Sequence, residues 1–221
     1  MHDIASNIQK IEKNLHGLAR LIAVTKTKSV SVLEETYHAG FKRFGENKVQ
    51  EMVDKYDVLP KDIEWHMIGH LQTNKVKYMA PFVSMVHSVD SFKLLKEINK
   101  EAAKHNRVID CLLQIFIADE ETKFGLSADE AVTILTSPEL NGMNHIRIAG
   151  LMGMATFTND LKKVRNEFRG LKQLFDSLKQ YDNDRIAITE LSMGMSGDYR
   201  IAVEEGSTLV RVGSAIFGER L

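Results

Sequence analysis

The order of the apolar segments along this chain constrains its fold more than any other feature of the sequence. Eight short segments are apolar or β-branched and have the length of strands. They cover residues 21–24, 41–47, 63–69, 82–89, 108–117, 146–154, 186–193 and 209–218. Helical spacing of apolar residues, or a helix-start signal, follows each segment except the last. Strands that alternate with helices favour parallel βαβ units, and eight such units favour a closed barrel.

We therefore predict an α/β fold, a single (β/α)8 barrel domain that spans residues 1–221. An open, doubly wound sheet is the alternative that the pattern leaves open. An extra helix is predicted ahead of the first strand, at residues 4–18. Its apolar positions recur at spacings of three and four and are Ile4, Ile8, Ile11, Leu15 and Leu18.

Two pairs of residues predict where particular helices begin. Ser31 and Glu34 have the spacing of a capping box, which would open a helix that runs to about Ala39. Ser127 and Glu130 have the same spacing and predict another helix start. The clearest helix covers residues 161–178. Its predicted buried stripe consists of Leu161, Val164, Phe168, Leu171, Leu174, Phe175 and Leu178.

The charge balance and the cysteine content narrow the class of partner and the compartment. With 29 basic and 30 acidic residues the net charge is −1, so we expect neither a nucleic acid nor a membrane as partner, but a small molecule. The single cysteine, Cys111, lies in an apolar run and is predicted to be a core residue in a reducing compartment. No apolar run has the length of a membrane span, and the N-terminus lacks a signal-peptide pattern. These features predict a cytoplasmic protein.

Two lysines, Lys26 and Lys28, follow the first strand. The ordinary interpretation is that the strand reaches the surface there and both ammonium groups are solvated. The alternative is that a partly desolvated lysine condenses with an aldehyde to form a Schiff base. Because residues two apart share a strand face, periodicity does not choose between the two lysines.

Two glycine-rich segments at the ends of the last two strands predict a phosphate site. Residues 192–198 read SMGMSGD, in which Gly194 and Gly197 allow close backbone approach, Ser196 offers a hydroxyl, and Asp198 is a predicted N-cap. Residues 212–218 read VGSAIFG and contain Gly213 and Ser214. Barrels often bind phosphate with the loops after strands seven and eight, so both loops would contribute.

Arg211 lies between two valines in the eighth predicted strand. A buried guanidinium needs a partner, which could be a carboxylate inside the barrel or the ring nitrogen of a cofactor. A lysine, a phosphate cup and an arginine at one rim of a barrel are the elements of a pyridoxal 5′-phosphate (PLP) site.

Six segments give the sequence a family resemblance: AVTKTK, FGENKVQE, WHMIGHLQTNK, GLMGM, LSMGMSGD and STLVRVGSAIFG. Together they resemble the pyridoxal-phosphate homeostasis protein family, whose fold is related to the N-terminal barrel domain of alanine racemase. The resemblance implies a PLP barrel of fold type III with the cofactor bound as an aldimine on Lys26. It also implies that Arg211 faces the pyridine nitrogen and that Ser196, Gly213 and Ser214 hold the phosphate. The remaining residues expected to bind the cofactor are Asn47, His70 and Met152.

Three functions are compatible with these residues: a PLP-binding protein without turnover, an amino-acid racemase, and a barrel enzyme that uses Lys26 on a phosphorylated metabolite without a cofactor. A racemase needs a second acid/base, which alanine racemases take from a tyrosine in a C-terminal domain of the partner subunit. The sequence ends three residues after Gly218, so we expect no such domain, although Tyr199 beside the phosphate turn is an alternative acid.

The preferred function is therefore a carrier in intracellular PLP homeostasis, which stores PLP and delivers it, with apo forms of PLP-dependent enzymes as possible recipients. We expect a monomer, with a weak dimer as the alternative. No metal is expected, because His66 and His70 are predicted to straddle a strand end.

Overall fold

A computed structural model describes residues 3–118 and 124–218 of the chain. The strands are β1 (Arg20–Val24), β2 (Arg43–Glu46), β3 (Glu64–Met67), β4 (Met85–Val89), β5 (Ile109–Gln114), β6 (Ile146–Met152), β7 (Ile186–Ser192) and β8 (Leu209–Val212). The α-helices are α1 (Ile4–Leu15), α2 (Val30–His38), α3 (Val49–Val58), α4 (Val76–Met79), α5 (Phe92–Ala103), α6 (Ala128–Leu135), α7 (Leu161–Leu178), α8 (Tyr199–Glu204) and α9 (Ser214–Phe217). Short 3-10 helices cover Thr73–Lys75, Pro138–Gly142 and Lys179–Tyr181.

The eight strands form a closed parallel barrel in sequence order. Closure is made by β1 and β8, in which Leu21 pairs with Val210 and Ile22 pairs with Arg211. The predicted (β/α)8 barrel is thus confirmed, and the open sheet is excluded. Because all strands are parallel, their carboxyl ends meet at one rim, where barrels carry their functional groups.

The barrel separates two apolar cores. The larger one lies between the sheet and the surrounding helices. The smaller one fills the barrel itself and consists of Ile22, Met85, Leu112, Ala149, Met152 and Leu209. Residues two apart on a strand share a face. His87 and Arg211, two positions after Met85 and Leu209, therefore also point into the barrel.

The first helix begins where expected but ends early. Ile4, Ile8, Ile11 and Leu15 are buried, as the spacing predicts. The helix stops at Leu15 because His16 and Gly17 adopt left-handed conformations with φ of 50° and 73°. Leu18 lies beyond this end and is 66% exposed, so its predicted place in the buried stripe was wrong.

One of the two predicted capping boxes is confirmed. Ser127 Oγ accepts a hydrogen bond from the Glu130 amide at 3.1 Å, and the Glu130 carboxylate accepts one from the Ser127 amide at 2.8 Å. The prediction for Ser31 was wrong, because α2 begins two residues earlier with Ser29 as N-cap. The hydroxyl groups of Ser29 and Ser31 lie 2.9 Å apart and bond to each other instead.

The long helix α7 buries most of its predicted stripe. Val164, Phe168, Leu171, Phe175 and Leu178 are buried. Two residues of the stripe are exceptions: Leu174 is only half-buried, and Leu161, in the first turn beside the rim of the barrel, is 57% exposed. Within residues 3–118 and 124–218, none of the helices combines the length and apolar composition that a membrane crossing requires.

Candidate functional site

A cavity of about 730 Å³ lies at the rim formed by the carboxyl ends of β1, β6, β7 and β8. Residues from the segments that follow these four strands line it, together with Val24, Arg211 and the first helical turns of α7. Five of the eight predicted cofactor-binding residues line this cavity: Lys26, Ser196, Arg211, Gly213 and Ser214. The barrel thus brings together side chains that are up to 188 positions apart, from Lys26 to Ser214.

The other three predicted residues do not line this cavity. Asn47 follows β2, and its backbone packs closely against the backbone of Gly69. A Cβ atom added to Gly69 would lie 2.5 Å from the Asn47 carbonyl oxygen. His70 is exposed, and its Nδ1 lies 3.2 Å from an Asp90 carboxylate oxygen. Met152 is 1% exposed within the apolar core of the barrel. Any cofactor contact by Asn47, His70 or Met152 stays a prediction.

Lys26 lies in a tight turn directly after β1. The turn is closed by a hydrogen bond from the Lys28 amide to the Thr25 carbonyl at 3.0 Å. The second of its two central residues, Thr27, has a φ of 65°, a left-handed conformation that β-branched residues rarely adopt. The Glu51 carboxylate accepts a hydrogen bond from the Thr27 amide at 2.5 Å, which holds the turn in this conformation. Lys26 and Lys28 both line the cavity as a result.

Behind this turn lies a group of polar and charged side chains, which we call the outer cluster: the buried Thr25, Glu46 and Lys55 and the half-buried Glu51. Lys55 Nζ donates to Glu46 Oε1 and Glu51 Oε1 at 2.7 Å each, and to the Thr25 carbonyl at 2.8 Å. Thr25 Oγ1 donates to the same Glu46 oxygen at 2.6 Å. Lys55 is 4% exposed and Glu46 is fully buried. Burial raises the pKa of Glu46, whereas its hydrogen bond with Lys55 acts in the opposite direction.

The loop after β7 is joined to the loop after β8 through one hydroxyl group. Ser196 Oγ accepts hydrogen bonds from the Gly213 and Ala215 amides at 3.2 and 3.4 Å. Within the same loop, Asp198 Oδ1 accepts one from the Met195 amide at 2.5 Å. Gly194 has a φ of 95°, and a Cβ there would lie 2.6 Å from the Ala202 side chain. Glycine is therefore required at this position for the loop to close.

Arg211 lies at the floor of the cavity and is 4% exposed. Its Nη1 donates to Ser192 Oγ at 2.5 Å, and its Nη2 donates to the Gly153 carbonyl at 3.0 Å. Both acceptors are neutral. Burial lowers the pKa of Arg211 to about 10, against the opposing influence of Asp198, so the guanidinium remains a cation at neutral pH.

Two buried histidines continue this hydrogen bonding into the barrel, and we call Ser192, His87 and His66 the inner chain. Ser192 Oγ lies 2.8 Å from His87 Nδ1, and His87 Nε2 lies 3.0 Å from His66 Nδ1. Burial lowers the pKa of His66 to about 3. Burial likewise holds the pKa of His87 well below its ordinary value. Both imidazoles are therefore neutral at physiological pH.

The sequence and the fold were compared with known proteins. A family model described as "Alanine racemase, N-terminal domain" matches residues 1–221. The pyridoxal phosphate homeostasis protein of Aquifex aeolicus is 42% identical over 204 residues, which cover 91% of this chain and 87% of the relative. The chain belongs to the pyridoxal phosphate homeostasis protein family.

Solved structures of one relative have the same fold as this family member. PipY of Synechococcus elongatus, solved without PLP, superposes with a TM-score of 0.91 at 32% identity. The same protein with PLP bound superposes with a TM-score of 0.87. Each comparison covers 98% of this chain and 100% of PipY.

The tyrosine that we considered as an alternative acid does not reach the cavity of this family member. The Tyr199 side chain is 7% exposed, and its hydroxyl accepts a hydrogen bond from Asn14 of α1 at 3.2 Å. Among the residues that the structure describes, the ionisable side chains lining the cavity are Lys26, Lys28, Asp198 and Arg211.

Sequence reasoning missed both the outer cluster and the inner chain. Lys55 occupies a position that helical spacing assigns to no particular face, and lysine is rarely buried. His87 and Ser192 lie 105 positions apart, on strands whose pattern is apolar. A polar residue inside an apolar strand, as at His66 and His87, was the available signal, because such a residue must find a hydrogen-bond partner.

Proposed function

We propose that this protein binds PLP covalently through Lys26 in the rim cavity, stores it, and delivers it without steady turnover of its own. The observation that carries the proposal is the convergence of an amine, an arginine and a phosphate-type loop pair on one cavity of suitable size. The name of the Aquifex relative and the PLP-bound PipY structure support the same ligand. When bound, PLP supplies an aldehyde that condenses with amines.

The loops after β7 and β8 fit a phosphate group. The Gly213 and Ala215 amides converge on Ser196 Oγ, within 3.4 Å. A phosphate dianion can accept hydrogen bonds from these two N–H groups and from the Ser196 hydroxyl. Hydrogen bonds to an ion are stronger than those between neutral groups. Ser214 lines the same part of the cavity and adds a second hydroxyl.

Arg211 fits a ring nitrogen that stays unprotonated. A guanidinium carries five N–H donors. One on Nη1 is hydrogen-bonded to Ser192, and one on Nη2 is hydrogen-bonded to Gly153. The remaining donors are available to a ligand in the cavity. Because Arg211 is itself a cation, it opposes a second positive charge on a neighbouring ring nitrogen. A PLP ring held this way is a poor electron sink, which disfavours decarboxylation and transamination.

The walls of the cavity also favour a carrier over an enzyme. Racemisation needs proton donors on both faces of the ligand. The tyrosine considered for this role faces α1 instead. In addition, one wall is open to solvent: Phe157 is 99% exposed, Leu161 57% and Met195 39%. A cavity that admits water and amines suits exchange of its ligand with apo-enzymes in the cytoplasm better than protected carbanion chemistry.

The assignment of Lys26 is tested by reducing the PLP-loaded protein with borohydride and mapping the labelled peptide. We expect the label on Lys26 and loss of the covalent chromophore in Lys26→Ala. Lys28→Ala is the matched control, because Lys28 lines the same cavity, and it should retain the chromophore. A label on Lys28 would contradict the assignment.

The absence of turnover is tested separately, with L- and D-amino acids and a PLP-free recipient enzyme. We expect PLP transfer that restores activity to the recipient, without sustained racemisation. Multiple-turnover racemisation that disappears in Lys26→Ala would establish the amino-acid racemase, which is the alternative function.

A further inference from the structure

The proposed function leaves the inner chain without a role. Ser192 and His87 are fully buried and His66 is 5% exposed, so all three are removed from solvent. Burying two imidazoles costs free energy unless their hydrogen bonds are satisfied. Apolar residues fill the neighbouring positions of the barrel core. The two histidines therefore call for a physical explanation.

Arg211 fixes the direction of the first bond in the inner chain, and this favours one direction for the other two. A guanidinium only donates, so Ser192 Oγ must accept from Arg211 Nη1. The hydroxyl proton of Ser192 then has His87 Nδ1 as its acceptor at 2.8 Å. A neutral His87 that accepts at Nδ1 carries its own proton on Nε2, which it donates to His66 Nδ1 at 3.0 Å.

Within the described part of the chain, the far end of the inner chain is unpaired whichever way the protons point. In the favoured direction His66 carries its proton on Nε2, and that atom is buried with no hydrogen-bond partner among the described residues. An unsatisfied donor at this place costs free energy. This cost arises at His66, the member of the inner chain farthest from Arg211, whereas the polar groups between His66 and Arg211 all have hydrogen-bond partners. The inner chain thus delivers a fixed acceptor to Arg211 at the cavity floor.

We propose that His87, acting through Ser192, is a positioning residue that orients the Arg211 guanidinium so that its remaining N–H groups face the ring nitrogen of the ligand. Without His87 the Ser192 hydroxyl is free to rotate, and its lone pair no longer points at Arg211. His66 contributes by holding His87 in the tautomer that accepts at Nδ1. This inference rests on the proposed function, and it makes His87 a determinant of selectivity for a pyridine ring.

The test compares two ligands that cannot bond covalently to Lys26. One is pyridoxine 5′-phosphate, and the other is its analogue with C–H in place of the ring nitrogen. Calorimetric affinities are measured for wild type, His87→Leu, His87→Asn and Ser192→Ala. His87→Asn keeps a side-chain acceptor close to the position of Nδ1, whereas His87→Leu removes it. His105→Leu, at an exposed site, is the matched control.

We expect His87→Leu and Ser192→Ala to weaken pyridoxine 5′-phosphate about 10-fold, the effect of a hydrogen bond to a charged group. Both variants should bind the C–H analogue as wild type does, and His87→Asn should recover most of the lost affinity. Equal losses for both ligands, or no loss for either, would overturn the positioning role. Wild type that binds neither ligand, or does not distinguish them, would instead contradict the proposed function.

A second measurement does not depend on any variant folding. Nitrogen-15 chemical shifts of the imidazoles in wild type report which ring nitrogen carries the proton. We expect both His66 and His87 to be protonated on Nε2 and unprotonated on Nδ1 at neutral pH. A His87 protonated on Nδ1 would donate to Ser192 and would refute the proposed direction of the inner chain.

Discussion

The two sides of the cavity are supported by buried polar groups of opposite character. The outer cluster, behind Lys26, lies between the sheet and α3 and pairs the Lys55 ammonium with the carboxylates of Glu46 and Glu51. The inner chain, behind Arg211, lies inside the barrel and contains only neutral groups. The difference follows from what each must support. The turn of Lys26 is held in place by an ammonium group paired with two carboxylates, whereas Arg211 keeps its charge for the ligand because its supports carry none.

The largest expected effect tests the charged half of this comparison. Lys55→Met leaves two carboxylates next to each other with one of them fully buried, which should destabilise the protein by about 3–5 kcal/mol. Denaturant unfolding measures this change. Lys96→Met removes an exposed ion pair with Glu139 and should cost less than about 1 kcal/mol. If both variants lost the same small amount, the outer cluster would not be a structural element.

The double variant Lys55→Met, Glu46→Leu sharpens this result. It replaces the buried ion pair with apolar side chains, so it should recover much of the stability that Lys55→Met loses. The amount of PLP that the double variant binds then shows whether the charges are needed to hold the turn of Lys26. This measurement is separate from the effect of the substitutions on stability.

The Ser196 hydroxyl belongs to neither the outer cluster nor the inner chain, and its removal should affect ligand affinity more than folding. Ser196→Ala removes one donor to a phosphate dianion, worth about 1.5–3 kcal/mol, so affinity for pyridoxine 5′-phosphate should fall roughly 10-fold or more. Unphosphorylated pyridoxine is the control ligand, and its weaker binding should not change. A variant with unaltered affinity for the phosphorylated ligand would place the phosphate elsewhere.

The pH dependence of stability should have opposite signs in the two regions. The pKa of His66 is about 3 in the folded protein, below the ordinary value of 6.5, so its stabilising contribution is complete above pH 6.5 and is lost as the pH falls toward 3. The pKa of Glu46 is raised, so its contribution is present below its ordinary pKa and is lost as the pH rises.

The measurement is the free energy of unfolding between pH 4 and 7, by denaturant titration. Replacing His66 by leucine should flatten the acid side of the profile by up to about 1.4 kcal/mol per pH unit. The exposed His105→Leu serves as control. A wild-type profile that is unchanged by the His66 substitution would mean that the pKa of His66 is the same in the folded and the unfolded protein.

The smallest expected effect concerns the strain in the Lys26 turn. Thr27→Gly should raise stability by about 1 kcal/mol, because glycine adopts positive φ without the steric cost that a β-branched residue carries. Thr133→Gly, in the regular helix α6, should instead lower stability by a few tenths of a kcal/mol. Loss of stability in Thr27→Gly would show that the Thr27 side chain contributes more than its backbone conformation costs.

Much of the site was predictable because its signals are local. Lys26 follows an apolar strand, Ser196 and Gly213 lie in glycine-rich turns, and Arg211 interrupts an apolar strand. The alternation of strands and helices then placed all of them at one rim. His70 and Asn47 follow strands too, but whether such a residue faces the cavity depends on the path of its loop, which no local pattern records.

The sequence by itself determined the (β/α)8 barrel, the end of the barrel that carries the site, and the residue types that converge there, since periodicity and turn residues act between near neighbours in the chain. Only the tertiary structure decided which buried polar groups bond to one another. Lys55 meets the Thr25 carbonyl 30 positions away, and His87 meets Ser192 105 positions away. Such pairs form because closure of the barrel leaves each buried polar atom few partners within hydrogen-bond distance, and that choice depends on register and packing rather than on local sequence.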